Sequence, residues 1–414
     1  MRVRRIGVGV IGTGFMGRCH ALAFRTAPLL FPVEARVDLA MVADVNAAAA
    51  ESMARQFGFA AATGDWRALV ESPEVDIVAI TAPNALHKEM ALAAIAAGKH
   101  VYCEKPMALG AADAQAMADA AAAAGVRTLV GYNYLHQPAV AFARELIDRG
   151  EIGSVVRFQG VNDEDYMADP AVPHSWRCRA DAAGTGTLGD LGSHIVALAR
   201  YLAGPIVELC AVTRTVIAER PLPGGAGATA AVENEDQADI LVRFADGALG
   251  TIATSRVAWG RKNRLACEIT GSRGTLIFDQ ERMNELRIYT ADRPGEANGF
   301  RTVPMGPPHP GYAAFVPAAG HQLGFNDMKV LEVAHLLAGR TGPSIPTFPR
   351  RWRSRRFSRP SSGRPSGRPG CGSTRSDPVR RPALPSRRAF SVSSSRIQAP
   401  ESAQIAGFGR GCCT

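Results

Sequence analysis

A chain of 414 residues, 46% of them hydrophobic, can bury enough apolar surface for two domains. No apolar run has the length of a bilayer span, and Met1-Arg2-Val3-Arg4-Arg5 leads straight into a strand rather than a secretory leader. The formal charge of +9 is uneven: residues 349–414 hold 15 Arg and no Lys against Asp377 and Glu401, or +13, so residues 1–348 carry −4. That acidic body gives no reason to expect a specific nucleic-acid partner.

The eight cysteines show no ligand spacing, so neither a metal site nor a disulfide framework is expected. Reduced thiols in a cytoplasmic protein are the plain reading.

The first predicted element is Ile6–Gly17, IGVGVIGTGFMG, where an apolar strand enters a glycine turn and then helical spacing. In a dinucleotide-binding unit Gly12 makes the tight turn, Gly14 lets backbone approach a pyrophosphate, and Gly17 allows close helix–strand packing. The anion would rest on unpaired N–H groups at the helix start, beside Phe15 and Met16. The pattern alone also fits a glycine-rich turn in any α/β protein.

Arg18–Thr26 reads as a helix, with Pro28 and Pro32 marking the next loop. Val37–Val42 is the second strand; it ends at Asp44, ahead of a helix over Ala47–Phe57. A carboxylate there can accept from ribose hydroxyls and repel a 2′-phosphate, so Asp44 favours NAD over NADP. Its alternative role is a helix-start carboxylate beside Asn46.

Asp65 then caps Trp66–Val70, followed by strand Asp76–Ile80, helix Ala85–Ala97, strand His100–Cys103, helix Ala111–Ala124 and strand Thr128–Gly131. This alternation implies a parallel sheet with helices on both faces and ligands beyond the strands' carboxyl ends. Two strand-end loops are therefore of interest. Thr81-Ala82-Pro83-Asn84 carries an Asn that contacts cofactor or caps the next helix, with His87 following. Glu104-Lys105-Pro106 carries a Lys able to reach the nicotinamide side of the cleft and stabilise charge on an oxygen, with Glu104 orienting it.

Gly131-Tyr132-Asn133-Tyr134 is the expected crossing to a second domain, with Asn133 a substrate-side candidate. Helix Pro138–Asp148 and strand Val155–Gly160 precede the polar run Asn162–Tyr166, which either lines a hydroxyl-rich pocket through Tyr166 or forms a solvated loop. Trp176 is a candidate pocket wall, and Arg177 meets an anion or clamps the loop.

Gly189-Asp190-Leu191-Gly192-Ser193-His194 follows. If a helix begins this early, Asp190 and His194 share one face. A His accepts protons near neutral pH and an acid can orient it; the bland alternative is a capping Asp and a boundary His.

The remainder reads as strands Val207–Val216, Ala238–Phe244, Ala248–Arg256, Leu265–Thr270, Thr275–Phe278 and Leu286–Tyr289. Pro221–Ala230 is expected to be a flexible connection, and helix Asp327–Leu337 to cover the sheet. The fold class is thus an α/β Rossmann domain (1–131) followed by an α+β domain (132–347) with an open, mostly antiparallel sheet. Its exposed face would suit a subunit interface.

Taken together, Gly12-Thr13-Gly14-Phe15-Met16-Gly17, Asp44, Thr81-Ala82-Pro83-Asn84, Glu104-Lys105-Pro106 and Gly189–His194 resemble the glucose–fructose oxidoreductase/inositol dehydrogenase/rhizopine-catabolism (Gfo/Idh/MocA) family over about residues 4–347. The resemblance implies NAD as cofactor, and a reaction site lined by Lys105, Asp190 and His194. It also implies a homodimer or homotetramer. The implied reaction moves a hydride between nicotinamide and the hydroxyl carbon of a cyclic sugar or polyol, anhydrosugars such as levoglucosan included. His194 would take the proton, Lys105 would steady the oxygen and Asp190 would orient the sugar. A non-catalytic NAD-binding protein and an NAD-assisted glycoside hydrolase are the competing function classes.

At Pro349 the composition turns abruptly to Arg, Ser, Pro and Gly with no apolar period. Residues 348–414 are expected to be a disordered tail. A reading-frame change near residues 348–350 explains it better than a genuine basic arm.

Overall fold

The computed structural model describes residues 4–338, apart from 34, 225–226 and 293–294. The expectations for the Arg-rich tail lie outside the described residues.

Six parallel strands form the first sheet: β1 (Arg4–Ile11), β2 (Ala35–Ala43), β3 (Ala61–Thr63), β4 (Ile77–Ile80), β5 (His100–Cys103) and β6 (Thr128–Val130). Their order is β3-β2-β1-β4-β5-β6. The helices between them are α1 (Phe15–Leu30), α2 (Ala47–Phe57), α3 (Trp66–Glu71), α4 (His87–Ala96) and α5 (Ala111–Ala124).

Strand side chains alternate between two cores. Val78, Ile80 and Val101 pack with α3, α4 and α5, whereas Ile77, Ala79 and Tyr102 pack with α1 and α2. Asp65 caps α3 through Arg67 N at 2.9 Å, as its position predicts.

Helix α1 does not stop at Thr26. It runs through Pro28 to Leu30, because buried Phe24 and Ala27 and half-buried Leu30 continue its contact with the core. Pro28 lacks the N–H that would bond back to Phe24, so the helix continues there at the loss of one hydrogen bond.

The chain crosses through α6 (Pro138–Asp148), β7 (Val155–Asp163), α7 (Ala180–Ala183) and α8 (Ser193–Ala203). An eight-stranded sheet follows, completed by β8 (Ile206–Arg214), β11 (Gln237–Phe244), β12 (Leu249–Ser255), β13 (Arg264–Gly271), β14 (Gly274–Asp279), β15 (Glu285–Thr290) and β16 (Arg301–Pro304). All its pairings are antiparallel except β7 with β12. One face packs on α6 and α8; the other leaves Val207, Val212, Leu241 and Leu249 exposed.

Three expectations for this half need correction. β7 extends to Asp163, so the polar run begins inside a paired strand rather than after it. The span expected as a flexible connection holds a hairpin, β9 (Glu219–Pro221) with β10 (Thr229–Ala231). The last described helix, α9 (Phe325–Leu337), reaches the large sheet's core only through Met328 and Phe325 at its start. Its Val330 and Val333 pack with Val8, Phe24 and Tyr102 of the first half. Amphipathic spacing shows that a helix buries one face, not which core receives it.

No helix among the described residues is long and apolar enough to cross a membrane.

Candidate active site

The glycine turn has the three backbone demands its sequence implies. Gly12 adopts φ +102°, and a Cβ on it would stand 2.7 Å from Thr81 Oγ1. Thr81 locks the same turn by donating to Ile11 O at 2.8 Å. A Cβ on Gly17 would lie 2.0 Å from Gly12 O, so helix and turn touch there. Gly14 differs: no atom lies within 4 Å of its missing Cβ. No side chain caps α1 and no acid stands in its first turn, which leaves its N–H groups available to an anion.

Phe15 is exposed beside this opening and stacks on Phe325 at 5.6 Å; Met16 is half-buried. The open face at Gly14, the uncapped donors and the strand-end carboxylate fit a dinucleotide.

That carboxylate, Asp44, accepts from Thr13 N at 2.9 Å and Thr13 Oγ1 at 2.7 Å through one oxygen, and from Asn46 N at 2.9 Å through the other. Burial works against its ionisation, but the Thr13 hydroxyl and the two N–H donors outweigh it and lower its pKa. Asn46, not Asp44, caps α2.

In the first strand-end loop, Pro83 opens a short 3₁₀ turn. Asn84 does not cap it; its amide donates to Ala183 O at 3.1 Å, reaching the second half of the chain. His87 is buried, with ring nitrogens 2.9 Å from Pro106 O and 2.8 Å from Ala82 O, and so joins the two loops.

The second loop meets the glycine-rich turn of the other half. Lys105 Nζ donates to Asp190 Oδ1 at 2.8 Å and to Asp190 O at 2.5 Å. Asp190 lies in a π-helical turn, Leu188–Gly192, that leads directly into α8. Its other carboxylate oxygen accepts from Tyr166 Oη at 2.6 Å, with Arg177 Nε 3.7 Å away. Burial opposes charge on Asp190, but the Lys105 ammonium and these donors hold its carboxyl well below the usual carboxylate range.

His194, one turn further along, is buried against the edges of Tyr134 and Tyr132, with ring centroids 4.7 and 5.9 Å apart. Its Nδ1 is buried without a partner. Burial, reinforced by the Lys105 charge, pushes the ring well below the ordinary histidine range, so it is neutral at pH 7.

Trp176 and Arg177 stack at 4.5 Å and line the cleft with Asn84, Thr185 and Asp190. Arg256, missed in the sequence, holds this loop from within. It pairs with buried Asp236 at 2.8 Å and donates to Arg177 O at 3.2 Å. Asn133 is buried with an unpartnered amide nitrogen.

Glu164 belongs to the polar run Asn162–Tyr166. Burial, then the neighbouring Asp190 charge, pushes its carboxyl up to about 7.

Glu104 requires correction. It does not touch the Lys105 ammonium; its carboxylate turns inward to His20 Nε2 at 2.7 Å and Lys329 Nζ at 2.6 Å, and meets Lys105 only at the main-chain N–H, 3.2 Å away. Successive residues of an extended chain point to opposite sides, so Glu104 follows Tyr102 into the core while Lys105 faces the cleft. The contact of Lys329 with Glu104 could not be read locally, because 225 positions separate the two.

Fold and site together define a nicotinamide-dependent oxidoreductase. Residues 6–132 match the oxidoreductase family with an NAD-binding Rossmann fold, and residues 140–277 match the GFO/IDH/MocA C-terminal domain. Levoglucosan dehydrogenase of Pseudarthrobacter phenanthrenivorans is 39% identical over 342 residues, covering 80% of this chain and 88% of that protein. Myo-inositol 2-dehydrogenase of Thermotoga maritima is 30% identical over 294 residues, 70% of this chain and 79% of that one. A solved levoglucosan dehydrogenase in complex with NADH and levoglucosan superposes with a TM-score of 0.78 at 39% identity, covering 81% of this chain and 89% of that one. The chain belongs to the Gfo/Idh/MocA family of NAD-binding oxidoreductases.

Proposed function

We propose that the protein is an NAD-dependent dehydrogenase of a cyclic sugar or polyol, with anhydrosugars of the levoglucosan type the first substrates to test. The observation that carries this reading is the 2.8 Å contact between Lys105 and Asp190, which unites the nucleotide-binding half with the half that bears His194. The names of the relatives support the substrate class.

Gly12, Gly14, Phe15, Met16, Gly17 and Asp44 would hold the adenosine and pyrophosphate side of NAD. Thr81, Pro83, Asn84 and Lys105 would lie toward its nicotinamide. When bound, NAD supplies the acceptor for the hydride.

The chain's own groups do the rest. His194, held neutral, accepts the proton of the reacting hydroxyl. Lys105 donates to that oxygen as it gains negative charge, and fixed donors of this kind strengthen most in the transition state. Ionised Asp190 restrains the Lys105 ammonium and accepts from a neighbouring sugar hydroxyl. Tyr166, Trp176 and Asn133 complete the sugar side and help to fix the ring against the reacting groups. In the reductive direction the proton moves back from His194.

We further infer a substrate-binding half that begins after Gly131, and a homodimer or homotetramer built on the exposed sheet face. Cytoplasmic residence is supported by free Cys19, Cys103, Cys178, Cys210 and Cys267.

The test is turnover of inositols, aldoses and anhydrosugars by the purified protein with NAD⁺ and with NADP⁺. NADH formation with at least one ring alcohol is expected. Silence across the panel would end the dehydrogenase reading, and faster use of NADP⁺ would end the role given to Asp44.

A further inference from the structure

We propose that Lys329 of α9 is a positioning residue for Lys105, acting through the carboxylate of Glu104. The inference rests on Lys105 being the reacting cation of the proposed dehydrogenase.

Lys329 is fully buried, an expensive place for an ammonium group unless all its hydrogens are used. They are used: Nζ lies 2.6 Å from Glu104 Oε1, 2.9 Å from Glu332 Oε2 and 3.2 Å from Tyr102 Oη. His20 of α1 donates to the same Glu104 oxygen at 2.7 Å. The second Glu104 oxygen accepts the main-chain N–H of Lys105 at 3.2 Å. One carboxylate therefore ties α1 and α9, which pack together in the core of the first sheet, to the peptide from which the Lys105 side chain departs.

The surroundings accommodate this carboxylate and little else. A Cβ on Gly131 would stand 2.8 Å from its carbon and from both oxygens. Burial disfavours charge on either partner, but each stabilises the ion of the other. Glu104 is held below and Lys329 above its ordinary range.

Apolar packing would bury this loop without fixing its direction. Charge-assisted hydrogen bonds fix both distance and direction. Direction matters at this point, since a displacement of about 1 Å at a reacting group can cost about a hundredfold in rate.

The test compares Lys329→Met, Glu104→Gln and the double variant K329M/E104Q in the full chain. Thermal melting, NADH binding by fluorescence, kcat and KM for the sugar, and the crystal structure around Lys105 are the readouts. Lys329→Met leaves buried carboxylates without their cation, so its melting point should fall. Its kcat should drop at least about tenfold, with sugar KM and NADH affinity little changed.

The double variant removes the Glu104–Lys329 pair and leaves only Glu332, which burial already favours in its protonated form, so it should recover most of the melting point but not kcat. Its structure should show the Lys105–Asp190 contact broken. A double variant that regains parental kcat with that contact intact would overturn the proposal, as would a folded Lys329→Met protein of parental kcat. If neither lysine variant folds, the isosteric Glu104→Gln decides by the same outcomes. If the parent turns over no sugar, the dehydrogenase reading fails, and the Lys105–Asp190 distance in the variant structures alone judges the role of Lys329.

Discussion

Asp190 receives hydrogen bonds from Lys105 and Tyr166 and lies near Arg177, and these neighbours should respond differently to substitution. Lys105→Met removes the donor proposed to face the reacting oxygen; loss of one such donor costs about 10²–10³ in rate. Turnover should fall by that amount while NADH still binds by fluorescence titration. Tyr166→Phe removes one neutral donor to a carboxylate, and its effect on kcat should stay near about tenfold. At the other end of the cleft, Asp44→Ala should raise KM for NAD⁺ and narrow the ratio of NAD⁺ to NADP⁺ use, read from initial rates with each nucleotide. Lys105 and Asp190 were each legible in the sequence because each follows a strand end or glycine turn that exposes it. Their contact was not, since 85 positions separate them and only the fold brings them together. Glu104 was misread for a local reason: adjacency in an extended chain places side chains apart rather than side by side.

Helix α9 combines an apolar stripe with Lys329, Glu332 and His335 at intervals of three. That polar row was the available signal, three titratable groups along one side of a helix whose remaining face is buried. Such spacing more often marks a solvated surface, so the row alone does not point to a core. Here Lys329 and Glu332 are fully buried, and His335 Nδ1 lies 2.9 Å from His136 Nδ1. Removing one member of a buried ion pair typically costs about 3–5 kcal/mol. Lys329→Met should therefore show a loss of that order by denaturant titration.

The pH response of this region has two opposing parts. Burial, together with the neighbouring His335 and Lys329 charges, keeps His136 well below its ordinary range. The unfolded chain thus binds that proton first, and stability is full above about pH 6.5 and falls as pH drops below it. Glu332 works the other way. Burial lifts it from 4.5 to about 7, so its contribution is present at low pH and is lost as pH rises through 7. Glu332→Gln deletes the second part. The melting temperature of that variant should decline more steeply between pH 7 and pH 5 than that of the parent; an unchanged slope would contradict the assignment.

For the molecule as a whole, alternating strands and helices made the parallel sheet legible, and β-branched runs with turn signals did the same for the second sheet. The large sheet's unshielded face carries Val212 and Leu241, which are 67% and 62% exposed. If that face joins subunits, Leu241→Asp should convert an oligomer to a monomer in light scattering. A parent that is already monomeric would refute the proposed assembly.

The wide turn at Leu188–Gly192 holds one residue more per turn than a regular helix, a form often found at functional sites. Deleting Gly189 would tighten that turn and rotate Asp190, together with α8, by about 100° relative to the preceding Thr185–Leu188, one residue's share of a helical revolution. Every proposed reacting side chain would still be encoded, yet the acid and the lysine would no longer meet. In this stretch, length itself is under chemical constraint, and an in-frame codon loss should silence the enzyme more completely than many exchanges of one amino acid for another.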